Sequence, residues 1–575
     1  MTLPMDVKPG GLLEIFQDLL QRHEIKLVFN TPFDTKELVS MDVEHNESGD
    51  FVGVGFFIPS SRTVHYFSDL ATLDRSLVLS LGFIAHNGIT DLECLQAWGY
   101  PVTHQQLIWD TYLYGHIIDS SLKAYGLKDM AKRELGIEYP SYQDLVGKGK
   151  SKTTLDKLPV HIVAMYNAMD CYATYKLYEK QANTHSRYYG ICDYFEDLEN
   201  PVSAVFQKMS NRGIHVDLGY LKDLQVSLES QKTPIELQIK NELGNINLNS
   251  PKQLLEALNA KEIWPVLKGK PSTDKRALSA LPQLGVVSDL LRYSELSTLL
   301  SSFVYPYLER NQEVVHPFFN QCGTRTGRPS CSNPNLLQIP RRTENGKLVR
   351  RMFIPREGML MGDCDYGQIE PRVLAHLSKD SALCELFNAG TDFHTYTATR
   401  LNIDRDKAKI LNLSVGYRAT FKSVSSQLKC TDTEAQNEID KWWSLFPALR
   451  RWQDTLIYEV RRSGFCTTLL GRRIKVDNLT VGNPWQRQAA ERQVINNVVQ
   501  ASAAEIMKKA MISIDKIALE WDIGLLVQVY DELLFESRNI EVATQTVEYC
   551  MRTAITLDVP LTVEGKTGES WASCH

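Results

Sequence analysis

Two sets of acidic residues in this 575-residue chain sit where a divalent cation could be held. The first lies within residues 1–190. Asp42 and Glu44 are two apart in a strand-like run over 36–44, so they face the same side. Residues 83–93 run from an apolar strand into a helix and put Asn87 and Asp91 four apart on one helical face. Residues 163–171 read as a helix with Tyr166 and Asp170 again four apart. Acids of this kind, if brought into one cleft, would repel one another unless divalent cations neutralised them. The second set lies far downstream. Asp365 ends the strand expected at 359–364 and precedes a helix at 369–377, with Pro371 in its first turn, where a missing N–H costs nothing. A helix-capping role for this Asp is the alternative. Residues 524–536 are two apolar runs broken by Asp531-Glu532, a β-hairpin pattern with acids where turn chemistry alone prefers Gly or Asn. Two Asp from separate strands can hold two Mg²⁺ about 3.5–4 Å apart for in-line phosphoryl transfer.

The cations are patterned as well. Arg405, Lys409, Leu413 and Tyr417 recur every four residues, one helical face able to grip a triphosphate at one end and a base at the other. Between Gln321 and Arg356 there are eight Lys/Arg against the single acid Glu344. Arg450, Arg451, Arg461, Arg462, Arg472, Arg473 and Lys475 form another basic region, with 468–473 read as a turn with adjacent cations. Solvated surface and a phosphate track are both open for these regions. The loop at 268–276 is either a plain helix connection or a phosphate holder. A basic loop is expected at 147–152 and further helical structure at 121–128. Arg492, Asn496 and Gln500, four apart, make a polar stripe where a core helix would show an apolar one.

Length predicts several domains with ample core. A hydrophobic content of 43% and a charged content of 23% are ordinary for a globular protein. The net charge of −6 is an average over basic and acidic clusters and decides nothing about nucleic acid. No apolar run reaches the roughly 18–20 residues of a membrane helix. The first residues lack a signal-peptide layout. Eleven scattered cysteines without a Cys-x-x-Cys pair suggest neither a zinc site nor a disulfide framework. A reducing cytoplasm is the expected compartment, that of a bacterial host cell if the chain is phage-encoded.

With these residues in place, Asp365-Tyr-Gly-Gln-Ile-Glu370 resembles motif A, residues 405–417 motif B, and Gln528-Val-Tyr-Asp-Glu532 motif C of family A (Pol I-like) DNA polymerases. The three upstream motifs, in this order and spacing, are similar to Exo I, Exo II and Exo III of DnaQ-like 3′→5′ exonucleases. The resemblance implies an α/β (α+β) protein: a ribonuclease H-like exonuclease domain (1–190), a segment leading into the palm with a helical thumb (191–320), palm with motif A (321–400), fingers with motif B (401–490) and palm with motif C (491–575). It implies that Asp42, Glu44, Asp91 and Asp170 bind two metals, that Tyr166 orients the attacking water, and that Asn87 touches the DNA. It implies that Asp365, Asp531 and the Tyr366 carbonyl hold two Mg²⁺, with Mn²⁺ as a substitute and Glu532 alongside. Gln368, Glu370, His394, Arg405, Lys409, Leu413 and Tyr417 would meet the dNTP, Glu370 as the gate against a ribose 2′-OH. Arg328, Asn335 and Gln338 would meet the primer–template minor groove, Arg492, Asn496 and Gln500 the template and primer, and the turn at 468–473 would lie near template. Asp110 matches another recurrent position of the exonuclease fold, with a structural role equally open.

The chain departs from the family pattern at Leu413, where Phe or Tyr is usual, so poor dideoxynucleotide incorporation is expected. Arg418 stands for Gly, Pro371 for Leu, Tyr530 for His and Gly367 for Ser. The expected function is DNA-dependent DNA synthesis with proofreading and without a 5′ nuclease, replicative for a phage-like genome. Primer–template DNA and dNTPs are the expected partners, with a replicative helicase, primase and single-strand binding protein as further ones, and no membrane. A host-type repair polymerase, and a nuclease whose polymerase half only binds DNA, are the competing readings.

Overall fold

The computed structural model describes residues 9–149, 152–185, 191–267, 269–282, 285–340, 344–480 and 482–574. Lys150, Lys268, Arg341 and Arg342, parts of the basic stretches singled out above, lie outside these residues. No helix among the described residues is long and apolar enough to cross a membrane.

Six strands form the N-terminal sheet: β1 (Lys26–Phe29), β2 (Val39–His45), β3 (Phe51–Ile58), β4 (Thr63–Phe67), β5 (Phe83–Ala85) and β6 (Leu107–Asp110). Their order is β1-β4-β3-β2-β5-β6, with β3 antiparallel to β2 and β4, and β5 parallel to β2 and β6. Five of these strands therefore follow a 3-2-1-4-5 order, the ribonuclease H-like arrangement. Helix α1 (Pro9–Arg22) packs on α3 (Val160–His185), which lies across β2 and β3. Helix α2 (Ile89–Ala97) begins beyond β5.

Residues 121–126 are irregular, and a helix starts only at Leu127. The reason is local: Asp119 accepts the Ser121 amide at 2.9 Å and its carbonyl accepts the Tyr125 hydroxyl at 2.7 Å, which folds the segment into turns.

Helix α4 (Asn200–Arg212) leads into an arm of helices. Gly213, at φ 67°, turns the chain into the strand Ile214–Val216, and a Cβ there would sit 2.7 Å from the Val315 carbonyl. In the arm, Asp217 caps α5 (Leu218–Leu243) by accepting the Tyr220 amide at 2.8 Å. Ser250 caps Pro251–Ala260, with Pro at the first position. The expected loop at 268–276 is more ordered than a plain connection. Val266–Leu267 pairs with Lys270–Pro271, and Asp274 caps the next short helix.

The C-terminal half is built on four antiparallel strands, β7 (Leu360–Tyr366), β8 (Gly524–Val529), β9 (Glu532–Ser537) and β10 (Val563–Gly568), in the order β8-β9-β7-β10. The helices of this half are α6 (Ile369–Ser378), α7 (Phe393–Leu401), α8 (Arg405–Val415), α9 (Asp432–Leu445), α10 (Pro447–Ser463), α11 (Pro484–Ile517) and α12 (Ile540–Arg552), of which α12 packs on β7 and β10. Asn483 and Gln486 form a capping box that starts the 34-residue α11, with Pro484 at its first position. The middle of α11 is buried against α4, α6 and α12, so this helix is the spine of the palm.

A buried ionic network joins the two halves. Glu199 accepts from Lys508 of α11 at 2.6 Å and lies 3.5 Å from Arg472, whose other nitrogen meets His116 at 2.9 Å. Arg472 is 1% exposed, which corrects its expected place near template: Thr468 and Leu470 anchor the turn on Glu505 and turn Arg472 inward, while Gly471 is exposed.

Candidate active sites

In the N-terminal cleft, Asp42 and Glu44 from β2 and Asp170 from α3 each offer a carboxylate oxygen within 4.8 Å of the others. Burial, then the Asp170 charge, pushes the Asp42 carboxyl up to about 8. Glu44 is raised well above its usual range by burial and then by Asp42. Glu44 Oε1 is buried with no hydrogen-bond partner among the described residues. Buried acids and an orphaned oxygen fit a site for divalent cations, which supply the missing charge.

Asp91 is buried and feels the Asp42 charge, with one oxygen accepting the Val43 amide at 3.1 Å, and it is not one of the three acids that share the 4.8 Å group. Tyr166 keeps its proton far above neutrality through burial and Asp170. Asn87 does not share a helical face with Asp91. It precedes α2 at φ 62°, and its side chain donates to Thr90 Oγ1 at 3.2 Å. The physical reason is Asp110, which accepts the amides of Asn87 (3.0 Å), Gly88 (2.9 Å), Tyr112 (2.9 Å) and Leu113 (3.1 Å) and so fixes the turn. Asp110 is thereby structural.

Sequence reasoning missed two residues of this cleft. Asn167 Nδ2 donates to the Asp42 carbonyl at 3.0 Å and to Asp42 Oδ2 at 2.9 Å. Its signal was an amide beside Tyr166 in an otherwise apolar helix face. Lys128 pairs with Asp170, and nothing in the local sequence announced it.

The second cleft lies at one end of the palm sheet. Asp365 is inside β7 rather than beyond it and faces Glu532 across the ladder. The hairpin turn is Tyr530-Asp531, with Tyr530 at φ 59°, so Glu532 opens β9 and only Asp531 is at the tip. The Tyr366 amide donates to the Asp531 carbonyl at 3.1 Å, bringing the two Asp-bearing segments together. Burial raises the Asp531 carboxyl. Asp365 does not cap α6; Gln368 occupies the cap position at φ 54°. Glu532 is buried, accepting from Arg350 Nη1 at 3.4 Å and from the Trp571 indole at 3.1 Å. The Tyr366 hydroxyl donates to the Met551 carbonyl at 2.7 Å, which leaves the backbone of Tyr366 as its contribution to the cleft.

Around this pair stand the residues of the expected nucleotide site. Glu370 Oε1 accepts from Arg328 Nη2 at 2.6 Å, and its other oxygen takes the Tyr417 hydroxyl. Tyr417 lies two residues beyond the end of α8, in a turn followed by Arg418 at φ 58°, so the shared face holds for Arg405, Lys409 and Leu413 only. The chain leaves the helix here because the Ala419 amide returns to the Ser414 carbonyl. Arg405 and Lys409 are exposed, and Leu413 is 52% exposed. Gln368 Nε2 donates to Asp392 at 3.0 Å and Arg405 Nε to the same carboxylate at 3.2 Å. His394 meets Asn412 at 3.0 Å, and burial lowers its pKa.

Asn335 and Gln338 line a groove of about 620 Å³ with Tyr307 and Arg310. Asn496 and Gln500 are half-buried on one face of α11. Arg492 of the same face joins Arg418, Lys422, Arg450, Trp485 and Arg487 around an open trough of about 660 Å³. The exposed Trp485 indole and Arg450, with half-buried guanidinium groups around them, suit a single strand, whose bases stack and whose phosphates pair.

Sequence comparison gives this geometry its class. The model of DNA polymerase family A matches residues 218–573, and that of a 3′-5′ exonuclease family matches residues 61–184. The chain belongs to DNA polymerase family A. It is 28% identical to DNA polymerase I of Pseudomonas aeruginosa over 586 residues, covering 94% of this chain and 64% of that one. It is 33% identical to the Geobacillus stearothermophilus enzyme (81% and 55% covered) and 36% identical to the thermostable Thermus aquaticus enzyme (66% and 48% covered). The chain thus spans between about half and two thirds of the length of these relatives. A solved structure, the POL domain of Pol1 from M. smegmatis in complex with DNA primer-template and dNTP, superposes with a TM-score of 0.83 at 27% identity, covering 99% of both chains.

Proposed function

We propose that this chain is a template-directed DNA polymerase with a 3′→5′ proofreading exonuclease, its division following the five segments expected from sequence. The observation that carries the polymerase reading is the junction of the Asp365 and Asp531 segments at one end of the palm sheet, with the Glu370 charge acting on Asp531. Asp365, Asp531 and the Tyr366 carbonyl would hold divalent cations, Mg²⁺ with Mn²⁺ as a substitute, which when bound stabilise charge in in-line phosphoryl transfer. The protein's own groups do the rest. Arg405 and Lys409 take the triphosphate of a dNTP, and Leu413 and Tyr417 meet its sugar and base. Glu370, held between Arg328 and Tyr417, fills the place of a ribose 2′-OH. Gln368 and His394 brace the same pocket, and Glu532 holds the palm behind it through Arg350. Arg328, Asn335 and Gln338 hold the primer–template duplex by its minor groove, and Arg492, Asn496 and Gln500 the template.

In the nuclease cleft, Asp42, Glu44, Asp91 and Asp170 would hold two cations, Tyr166 would orient water through its retained proton, and Asn87 would touch the strand being trimmed. Primer extension with dNTPs, and trimming of a single-stranded 3′ end without them, test the two halves together. Extension lost in a folded chain would leave a nuclease with a DNA-binding partner half. The reading extends to a replicative role for a phage-like genome, with helicase, primase and single-strand binding protein as further partners. A host-type repair polymerase is the competing reading, which the bacterial origin of the DNA polymerase I relatives favours, and processivity and strand-displacement assays separate the two.

A further inference from the structure

Lys128, on the short helix Leu127–Met130, places its ammonium against Asp170 of the nuclease cluster. Two aromatic faces hold it there: the Tyr139 ring at 4.1 Å and the Tyr166 ring at 4.2 Å from Nζ. A lysine seated between two rings is fixed in place by their quadrupoles as well as by the carboxylate. Asp170 shares its group with Asp42 and Glu44, each offering a carboxylate oxygen within 4.8 Å of the others. One internal positive charge therefore faces the same three carboxylates that would bind a divalent cation.

We propose that Lys128 is a built-in counter-cation of the nuclease cleft, holding Asp170 until a divalent cation takes it and thereby setting the affinity of the cleft for metal. The inference rests on reading that cleft as a metal site. A bound divalent ion and the ammonium compete for the same carboxylate charge, so removing the ammonium strengthens metal binding and weakens the metal-free cleft.

The test is Mn²⁺ binding by calorimetry to the full chain carrying Asp365→Asn and Asp531→Asn, which silences the polymerase carboxylates. Lys128→Met in this background is expected to bind Mn²⁺ at least five-fold tighter and to melt lower without metal, with Lys128→Arg close to the parent. An affinity unchanged or weakened in Lys128→Met overturns the proposal. If Lys128→Met does not fold, Lys128→Gln is read the same way. Adding Asp42→Ala and Glu44→Ala to the parent distinguishes the two claims. Mn²⁺ binding that survives there removes the metal-site reading itself, whereas binding lost there and unmoved by Lys128→Met removes only the role of the lysine.

Discussion

Arg328 Nη2 donates to Glu370 Oε1 at 2.6 Å while Tyr417 holds the other oxygen of the same carboxylate. The side chain expected at the primer end and the side chain expected to close over the new pair thus share one anchor. Glu370→Ala removes a wall and both tethers. Ribonucleotide incorporation relative to dNTP is expected to rise by about 100-fold, about 2.7 kcal/mol of lost discrimination, with overall extension slower. Single-nucleotide insertion kinetics with paired NTP and dNTP measure this, and unchanged sugar selection would reject the gate.

Leu413 presents an exposed aliphatic surface where a ring would stack or donate. Leu413→Tyr is expected to raise dideoxynucleotide incorporation about ten-fold or more relative to dNTP. Chain-termination patterns at fixed ratios of the two substrates read it directly.

Arg350 and Glu532 are 3% and 1% exposed and pair inside the palm. Removing one partner of a buried pair leaves an uncompensated charge, at a cost of about 3–5 kcal/mol. Arg350→Ala is expected to lower stability by that order in denaturant titration, and a loss within 0.5 kcal/mol would show that the pair does not hold the palm.

Glu505 gives a pH dependence. Burial pushes its carboxyl up to about 7, against the hydrogen bonds from Thr468 and Leu470 that pull it down. The folded protein thus retains a proton that the unfolded chain loses near 4.3. The contribution is whole below about pH 4 and is lost as pH rises through about 7. Thermal melts from pH 5 to 8 should show the wild type losing stability relative to Glu505→Gln; parallel curves would contradict this.

The sequence was most legible where chemistry demands a fixed spacing. Asp42 and Glu44 on a strand, Tyr166 and Asp170 on a helix, and the Arg405–Lys409–Leu413 face all follow from periodicities of two and 3.6. It was least legible where distant segments decide. Asn87 and Tyr417 fall outside their helices because Asp110 and the return of Ala419 to Ser414 end the regular structure, and neither contact has a local signature. Arg472 looked like a surface cation within a basic run, but Glu199, more than 250 residues earlier, draws it inside. Lys128 and Asn167 likewise acquire meaning only once β2 and α3 are side by side.

The account stands on the two acids that β7 and the hairpin bring together. Asp365→Asn and Asp531→Asn, each alone, should reduce single-turnover primer extension by at least 1000-fold while 3′ trimming of single-stranded DNA and primer–template affinity stay within about three-fold. Extension at wild-type rates in either variant would contradict it.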